Sequence, residues 1–175
     1  MRYLRLAALL LISAVAIGAC ATLGLRLPPW EADRTEVDAF RDYRSWERVN
    51  EEPVTGDEFG VLNGWFAAHG GERGFRDVYV NPVGADTSSG EAPLPYPEGT
   101  ILVKETFRAD DGEPGRLSNV TVMVKRDDAY DPEHANWEYI NLNRNLRVRR
   151  QGAMRACYEC HSAAEATDYV FTDNR

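Results

Sequence analysis

The stretch Thr100-Ile101-Leu102-Val103-Lys104-Glu105-Thr106-Phe107 contains the alternation that is typical of a β-strand. Successive side chains of a strand point to opposite faces of its sheet, so every second residue shares a face. The stretch therefore predicts a strand over 100–107, which a turn over 110–115 follows. One face of this strand carries Ile101, Val103 and Glu105, and the other face carries Leu102, Lys104 and Thr106.

The same period of two recurs in three other parts of the chain. Four strands with short Gly- and Pro-containing turns between some of them predict an antiparallel sheet. Apolar residues spaced three to four apart predict a helix over 36–49, while 61–68 fits either a helix or a strand. The predicted fold class is therefore α+β, a mainly antiparallel sheet with a few helices. The other predicted strands are 76–81, 119–126 and 137–142, and 86–99 is predicted to be a loop.

The N-terminus has the pattern of a secretory signal peptide. Arg2 and Arg5 give it a basic start, and residues 6–17 are almost wholly apolar. This run is short for a membrane span, although an uncleaved N-terminal anchor is the alternative. We expect an exported protein in three parts, which are a signal peptide over 1–20, a tether over 21–35 and one domain over 36–175.

Two routes could process this signal peptide. Ile17-Gly18-Ala19-Cys20 resembles a bacterial lipobox, in which Cys20 becomes the lipidated first residue of the mature chain. Ordinary cleavage at the small-x-small pattern Ala19-Cys20-Ala21 is the alternative. We favour lipidation, because a cysteine at this position is otherwise unusual. Ala21 does not resemble an inner-membrane retention signal, so we expect a periplasmic lipoprotein anchored in the outer membrane.

The composition excludes several classes of protein. The chain has 175 residues, which suffices for one domain but not for two ordinary ones. It has 20 Lys and Arg against 28 Asp and Glu, a net charge of -8, so nucleic acid is not an expected partner. Its 3 cysteines are too few for a small disulfide-stapled protein. With Cys20 assigned to export, Cys157 and Cys160 remain to be explained.

Cys157-Tyr158-Glu159-Cys160-His161 has the Cys-x-x-Cys-His pattern of a c-type haem attachment site. Residues three apart lie on one side of a helical turn, so both thiols can reach the two vinyl groups of one porphyrin. His161 then projects toward the iron as its proximal ligand. The motif predicts one covalently attached haem c, and export suits it because such haem is attached outside the cytoplasm.

Other interpretations of the motif fit less well. A zinc site needs a second pair of ligands, and the chain has no second Cys-x-x-Cys. A thioredoxin-like redox pair belongs inside a βαβ pattern, whereas this motif lies near the C-terminus. A structural disulfide would leave His161 unexplained.

The sequence also bears on the sixth ligand of the iron. No methionine follows His161, and Met123 and Met154 lie upstream, where core packing is the usual role of methionine. We therefore expect a five-coordinate iron, which can bind or transform a small molecule. Four-helix cytochromes share this openness, but the period-two strands argue against a helical bundle.

Several blocks of the chain resemble the cytochrome P-460 and cytochrome c′-beta family, from about residue 43 to residue 172. The resemblance implies a mainly antiparallel β homodimer with one c-type haem per chain and an open distal site. In the P-460 branch a lysine is cross-linked to the porphyrin, and the enzyme oxidises hydroxylamine, with nitric oxide also involved. In the c′-beta branch the cross-link is absent and the protein binds nitric oxide or carbon monoxide. The similar blocks are Tyr43-Arg44-Ser45-Trp46, Arg76–Asn81, Pro97–Glu105, the haem motif and Asp168–Thr172.

The resemblance assigns roles to two further residues. Lys104 stands where the family has its cross-linking lysine, and a buried lysine that loses its charge becomes a nucleophile. The alternative is a lysine that extends from a sheet edge to solvent. Arg76 matches a family arginine near the haem, where it would hold a propionate or act as a polar distal group. A surface position on its strand is the alternative for Arg76.

One departure from the family pattern bears on activity. Catalytic members carry a carboxylate shortly before the haem motif, whereas this chain has Gln151-Gly152-Ala153-Met154-Arg155-Ala156 there. Glu105 and Glu138 are candidate replacements, although a strand carboxylate is usually solvated. The sequence thus leaves three functions open: oxidation of hydroxylamine or nitric oxide, capture of a gas without turnover, and electron transfer with a partner such as an acceptor cytochrome.

Overall fold

The computed structural model describes residues 37–55 and 74–171, and the seven strands found there form one antiparallel sheet. The order across the sheet is β1-β3-β4-β5-β6-β7, and β2 pairs with β3 as well. Neighbours along the chain from β3 to β7 are therefore neighbours in the sheet. The strands are β1 Glu47–Arg48, β2 Val54–Thr55, β3 Gly74–Val80, β4 Ile101–Asp110, β5 Glu113–Lys125, β6 Trp137–Asn143 and β7 Val148–Gly152.

Short helices complete the described part of the chain and confirm the α+β class. The two α-helices with defined bounds are α1 Ala85–Ser89 and α2 Arg155–His161. Residues 37–39 are also helical. Three 3-10 helices cover Tyr43–Ser45, Pro132–His134 and Ser162–Thr167.

The four predicted strands are present, and two other predictions need correction. The predicted loop 86–99 begins with α1, whose Ser and Thr residues carry little helix signal. The predicted helix 36–49 is helical only at 37–39 and 43–45, because Glu47 and Arg48 pair with β3 instead. The segment 61–68, the predicted signal peptide 1–20 and the tether 21–35 lie outside the described residues.

The two faces of the sheet bury different sets of side chains. One face packs against the segment that precedes β1 and forms the first hydrophobic core. The opposite face packs against the C-terminal residues and forms the second, and we call it the C-terminal face. The first core contains Phe40, Tyr43, Val103, Val120, Val122, Val124, Ile140 and Leu142, and the second contains Val80, Tyr96, Leu102, Trp137, Tyr139 and Tyr169.

The described residues belong to one compact unit that begins at Val37. None of the helices in 37–55 and 74–171 has the length and apolar character needed to cross a membrane.

Candidate haem site

A cavity of about 570 Å³ lies between the C-terminal face of the sheet and helix α2. Its floor follows the strand register, because one row of paired residues crosses five strands and all of them line it. A second row of paired residues lies two positions from the first on each strand and adds an apolar part to the cavity wall. The first row is Val78, Lys104, Thr121, Asn141 and Arg150, and the second row contributes Leu102, Met123 and Tyr139.

Helix α2 carries both thiols of the haem motif to the opposite wall. Gly152 ends β7 with φ +124°, a conformation that L side chains rarely adopt, and the chain then turns into α2. Cys157 and Cys160 lie three residues apart in this helix, line the cavity and are not joined in a disulfide. Burial raises the pKa of both, so they are held as thiols.

His161 is the last residue of α2, and its ring is fixed by one buried hydrogen bond. Its Nδ1 donates to the Tyr169 carbonyl oxygen at 2.7 Å. This bond leaves Nε2 as the unprotonated nitrogen, which is the form that binds a metal. Burial lowers the pKa of His161 to about 4, so the neutral ring persists at physiological pH. The ring centroids of Tyr139 and Phe171 each lie 5.2 Å from the ring centroid of His161.

The carbonyl that holds His161 belongs to a tightly fixed turn. Asp168 and Tyr169 both have left-handed backbones, with φ of 56° and 64°. The Asp168 carboxylate accepts from Lys125 Nζ at 2.8 Å and from the Tyr96 backbone N–H at 2.8 Å. The Asp168 carbonyl accepts from the Trp137 indole N–H at 2.7 Å. Three buried donors therefore hold the residue that precedes the acceptor for His161.

Lys104 lies on the predicted face of β4, and its side chain lines the cavity. The side chain is half-buried. Burial and, to a smaller extent, the positive charge of Arg76 lower its pKa to about 7. A substantial fraction of this amine is therefore neutral near pH 7, which makes it a nucleophile.

Arg76 is buried on the same face of the sheet, one row away from Lys104. It is 2% exposed and pairs across the sheet with Thr106. Burial lowers the pKa of its guanidinium. The burial of Arg76 excludes a surface position, and its side chain does not line the cavity.

Neither glutamate suggested as a proton carrier reaches the cavity. Glu105 is 2% exposed on the face opposite Lys104, where it accepts hydrogen bonds from Tyr43 Oη and Arg44. Glu138 is 5% exposed and pairs with Arg126. The expectation that strand carboxylates are solvated was therefore wrong for both, because each neutralises an arginine.

Three residues that line the cavity were either expected to be core residues or not predicted from the sequence. Met123 and Met154 both line the cavity, as does Tyr139. Tyr79 packs edge-on against Tyr43 in the first core. Phe75 and Phe107 do not line the cavity.

His134 supports the haem motif from outside the cavity. Its ring stacks on Tyr158 at 3.6 Å, inside the Cys-x-x-Cys-His pentapeptide, and its Nδ1 lies 3.0 Å from the Asp131 carboxylate. Within residues 37–55 and 74–171, no three His, Cys, Asp or Glu side chains group closely enough to hold a metal ion.

These residues fit a c-type haem in two respects. The donor set is right, because two free thiols and one neutral imidazole share a mostly apolar cavity. The Tyr139 hydroxyl is also buried without a hydrogen-bond partner among the described residues. A buried hydroxyl costs about 1–3 kcal/mol when it is left unpaired. A bound group with an acceptor atom would relieve that cost.

The fold and the site together define a β-rich protein with a cavity suited to covalently attached haem. The sequence model of the cytochrome P460 family matches residues 40–172, which is more than half of the chain. The chain therefore belongs to the cytochrome P460 family, as the resemblance predicted, and the family implies a c-type haem. No curated protein matches the chain significantly.

Proposed function

We propose that this protein is an exported c-type haem protein whose open iron site acts on small nitrogen compounds, hydroxylamine or nitric oxide. One observation carries the proposal: Cys157, Cys160, His161 and Lys104 line a single cavity. The first three are the residues of haem attachment and ligation, and the fourth stands where the P-460 branch has its cross-linking lysine. The bound haem would supply the redox chemistry.

Each of these four residues would have its own role at the bound haem. Cys157 and Cys160 would hold the porphyrin through thioether bonds to its vinyl groups, and His161 Nε2 would bind the iron. Lys104 Nζ would form a bond to a carbon of the porphyrin ring. That bond replaces one N–H and one C–H bond, so two protons and two electrons leave, and a two-electron oxidant such as a peroxide must accept the electrons.

Gas capture without turnover is a second candidate, and one observation favours it. Oxidation of hydroxylamine removes protons from the substrate, and a nearby carboxylate is a common base for such a step. In the described part of the chain, no Asp or Glu side chain lines the cavity. Without such a base the protein would bind nitric oxide or carbon monoxide and release it unchanged.

Electron transfer is the third candidate, because Met123 and Met154 line the cavity and a thioether can serve as a sixth ligand. The resting absorption spectrum separates this candidate from the other two. A high-spin, five-coordinate spectrum that shifts on addition of nitric oxide supports the open site. A low-spin spectrum that nitric oxide leaves unchanged overturns it.

Turnover separates the first two candidates. Purified holoprotein is mixed with hydroxylamine and an artificial electron acceptor, and reduction of the acceptor is followed. Turnover that falls in Lys104→Met but persists in Arg147→Gln, an exposed variant that does not line the cavity, supports the enzyme. Nitric oxide binding without any turnover supports gas capture instead.

We also propose that the mature chain is a homodimer anchored to the outer membrane through a lipid on Cys20. The family resemblance supports the dimer, and the lipobox-like Ile17–Cys20 supports the anchor. Light scattering of detergent-purified protein would show a dimer. A Cys20→Ser variant would lose the lipid mass and leave the membrane fraction; if wild-type protein carries no lipid mass, the anchor is wrong.

A further inference from the structure

Four arginines converge on a second cavity, an open groove of about 310 Å³ at one end of the sheet. They come from three parts of the fold: the end of β4, the start of β5, and the β6–β7 turn with the start of β7. All four are exposed to solvent. We call this feature the arginine groove, and its arginines are Arg108, Arg116, Arg144 and Arg149.

The charge state of the arginine groove contrasts with the rest of the protein. The chain has a net charge of -8, and five other arginines each pair with a nearby carboxylate. The four groove arginines form no ion pair with any carboxylate of the described residues. Guanidinium groups stay protonated at all relevant pH values, so the groove concentrates uncompensated positive charge in an acidic protein.

One neutral side chain of the groove, Asn143, also offers a donor. The Asn143 side-chain oxygen accepts from the backbone N–H groups of Asn145 and Arg147, at 2.8 and 3.2 Å. Its amino group is therefore left to face the groove. A partner that matches this surface must offer negatively charged acceptors, as carboxylates do.

The strand register sets the groove beside the haem cavity. On β6, Asn141 lines the cavity and Asn143 lines the groove, two residues or about 7 Å further along the strand. On β7, Arg150 lines the cavity and Arg149 lines the groove, at the register shift that interrupts the pairing of β6 with β7. A molecule docked on the groove would therefore lie next to the haem cavity.

We propose that the arginine groove docks the acidic face of a protein that exchanges electrons with the haem. This inference rests on the proposed function, since it assumes that haem fills the neighbouring cavity. Charge complementarity of this kind steers association and fixes orientation. The positive groove would direct an acidic partner to the cavity end of the sheet, against the repulsion from the net negative charge of the molecule.

The test uses the holoprotein and a fluorescent hexaglutamate peptide as the probe of an acidic protein surface. Fluorescence anisotropy measures peptide binding for wild type, for Arg144→Glu with Arg149→Glu, and for the control Arg41→Glu with Arg147→Glu. Both double variants change the net charge equally, but Arg41 and Arg147 lie outside the groove. We expect the groove variant to bind about tenfold more weakly and the control to change far less, as lost surface ion pairs would give.

A second measurement reports the haem itself and needs no hydroxylamine chemistry. Oxidation of the reduced haem by the hexacyanoferrate(III) anion should slow as salt rises, if the groove sets the local charge. The net charge alone predicts the opposite sign, a rate that rises with salt. The groove variant should reverse the trend, whereas the control should keep it.

Several results would overturn the proposal. Equal loss of peptide binding in both double variants would show that only net charge matters. Tighter binding of inorganic pyrophosphate than of the peptide would make the groove a small-anion site. A shifted reduction potential with unchanged peptide binding would assign these arginines to the haem propionates. Failure of hydroxylamine turnover alone would reject the enzyme and leave the groove standing.

Discussion

Lys125 Nζ lies 2.8 Å from both carboxylate oxygens of Asp168, and this ion pair is buried behind the haem cavity. Asp168 precedes Tyr169, whose carbonyl oxygen accepts the hydrogen bond from His161. The ion pair therefore helps to position the imidazole that would bind iron, through the backbone of Asp168 and Tyr169. Lys125 also lies 4.9 Å from the ring of Trp137, which donates to the Asp168 carbonyl.

Replacing Asp168 by Asn should destabilise the protein strongly. Removal of one partner leaves the other buried charge uncompensated, which typically costs about 3–5 kcal/mol. Urea unfolding measures this loss, and Glu159→Gln, which breaks the exposed Arg155–Glu159 pair, is the matched control and should change little. The iron–histidine stretching frequency, measured by resonance Raman spectroscopy, should shift in Asp168→Asn alone. A stable variant with an unshifted frequency would show that the pair does not position His161.

Replacing Glu105 by Gln should weaken the fold but leave the haem cavity unchanged. Glu105 accepts hydrogen bonds from Tyr43 and Arg44 on the face opposite Lys104, so its loss should cost about 1–3 kcal/mol. Thermal unfolding and the haem absorption spectrum measure the two effects separately. If turnover fell in a variant with unchanged stability, Glu105 would be a proton carrier after all.

Replacing Tyr139 by Phe tests whether the bound haem pairs the buried hydroxyl. If the haem supplies an acceptor, the holoprotein should lose about 1 kcal/mol of stability. If nothing pairs with the hydroxyl, its removal should be neutral or stabilising. Melting temperatures of wild type and variant decide the sign, and Tyr79→Phe, which removes the hydroxyl of a half-buried tyrosine outside the cavity, serves as the control.

The cross-link at Lys104 should form more readily at higher pH. Only the neutral amine is a nucleophile, and a pKa of about 7 leaves roughly a tenth of it neutral at pH 6 and roughly nine-tenths at pH 8. Holoprotein purified before cross-linking is treated with a peroxide at both pH values, and the linked fraction is measured by mass. A rise of about a hundredfold in the initial rate of linking, rather than about tenfold, would contradict a lowered pKa, and equal rates at the two pH values would contradict attack by the neutral amine.

The sequence predicted what depends on local periodicity and on contiguous motifs. The alternation in β4 placed Lys104 opposite Glu105, and the Cys-x-x-Cys-His motif placed both thiols on one helical turn, as the structure has them. The two-residue strands β1 and β2 have no period to detect. Arg150 was placed in the same row as Lys104, three strands away, only through the register of β4 to β7, which no local pattern sets.

The support behind His161 was not predictable for a similar reason. Lys125 and Asp168 are 43 residues apart, and their pairing depends on tertiary packing. The left-handed turn at Asp168 and Tyr169 contains no glycine, so it carries no turn signal of the usual kind. Burial of Glu105 was likewise missed, because its ion-pair partner Arg44 lies 61 residues away.

Lys104 lines the same cavity as the haem-attachment motif, and we propose that it lies close enough to react with the porphyrin. The chain has only two lysines, Lys104 and Lys125, so peptide mapping can assign a cross-link without ambiguity. The most direct measurement is therefore the intact mass of the mature holoprotein, with Lys104→Met as the comparison. We predict a wild-type mass two hydrogens below that of a chain whose haem is held by the two thioether bonds alone, with the ordinary increment restored in Lys104→Met. An ordinary haem increment in the wild type would contradict the cross-link.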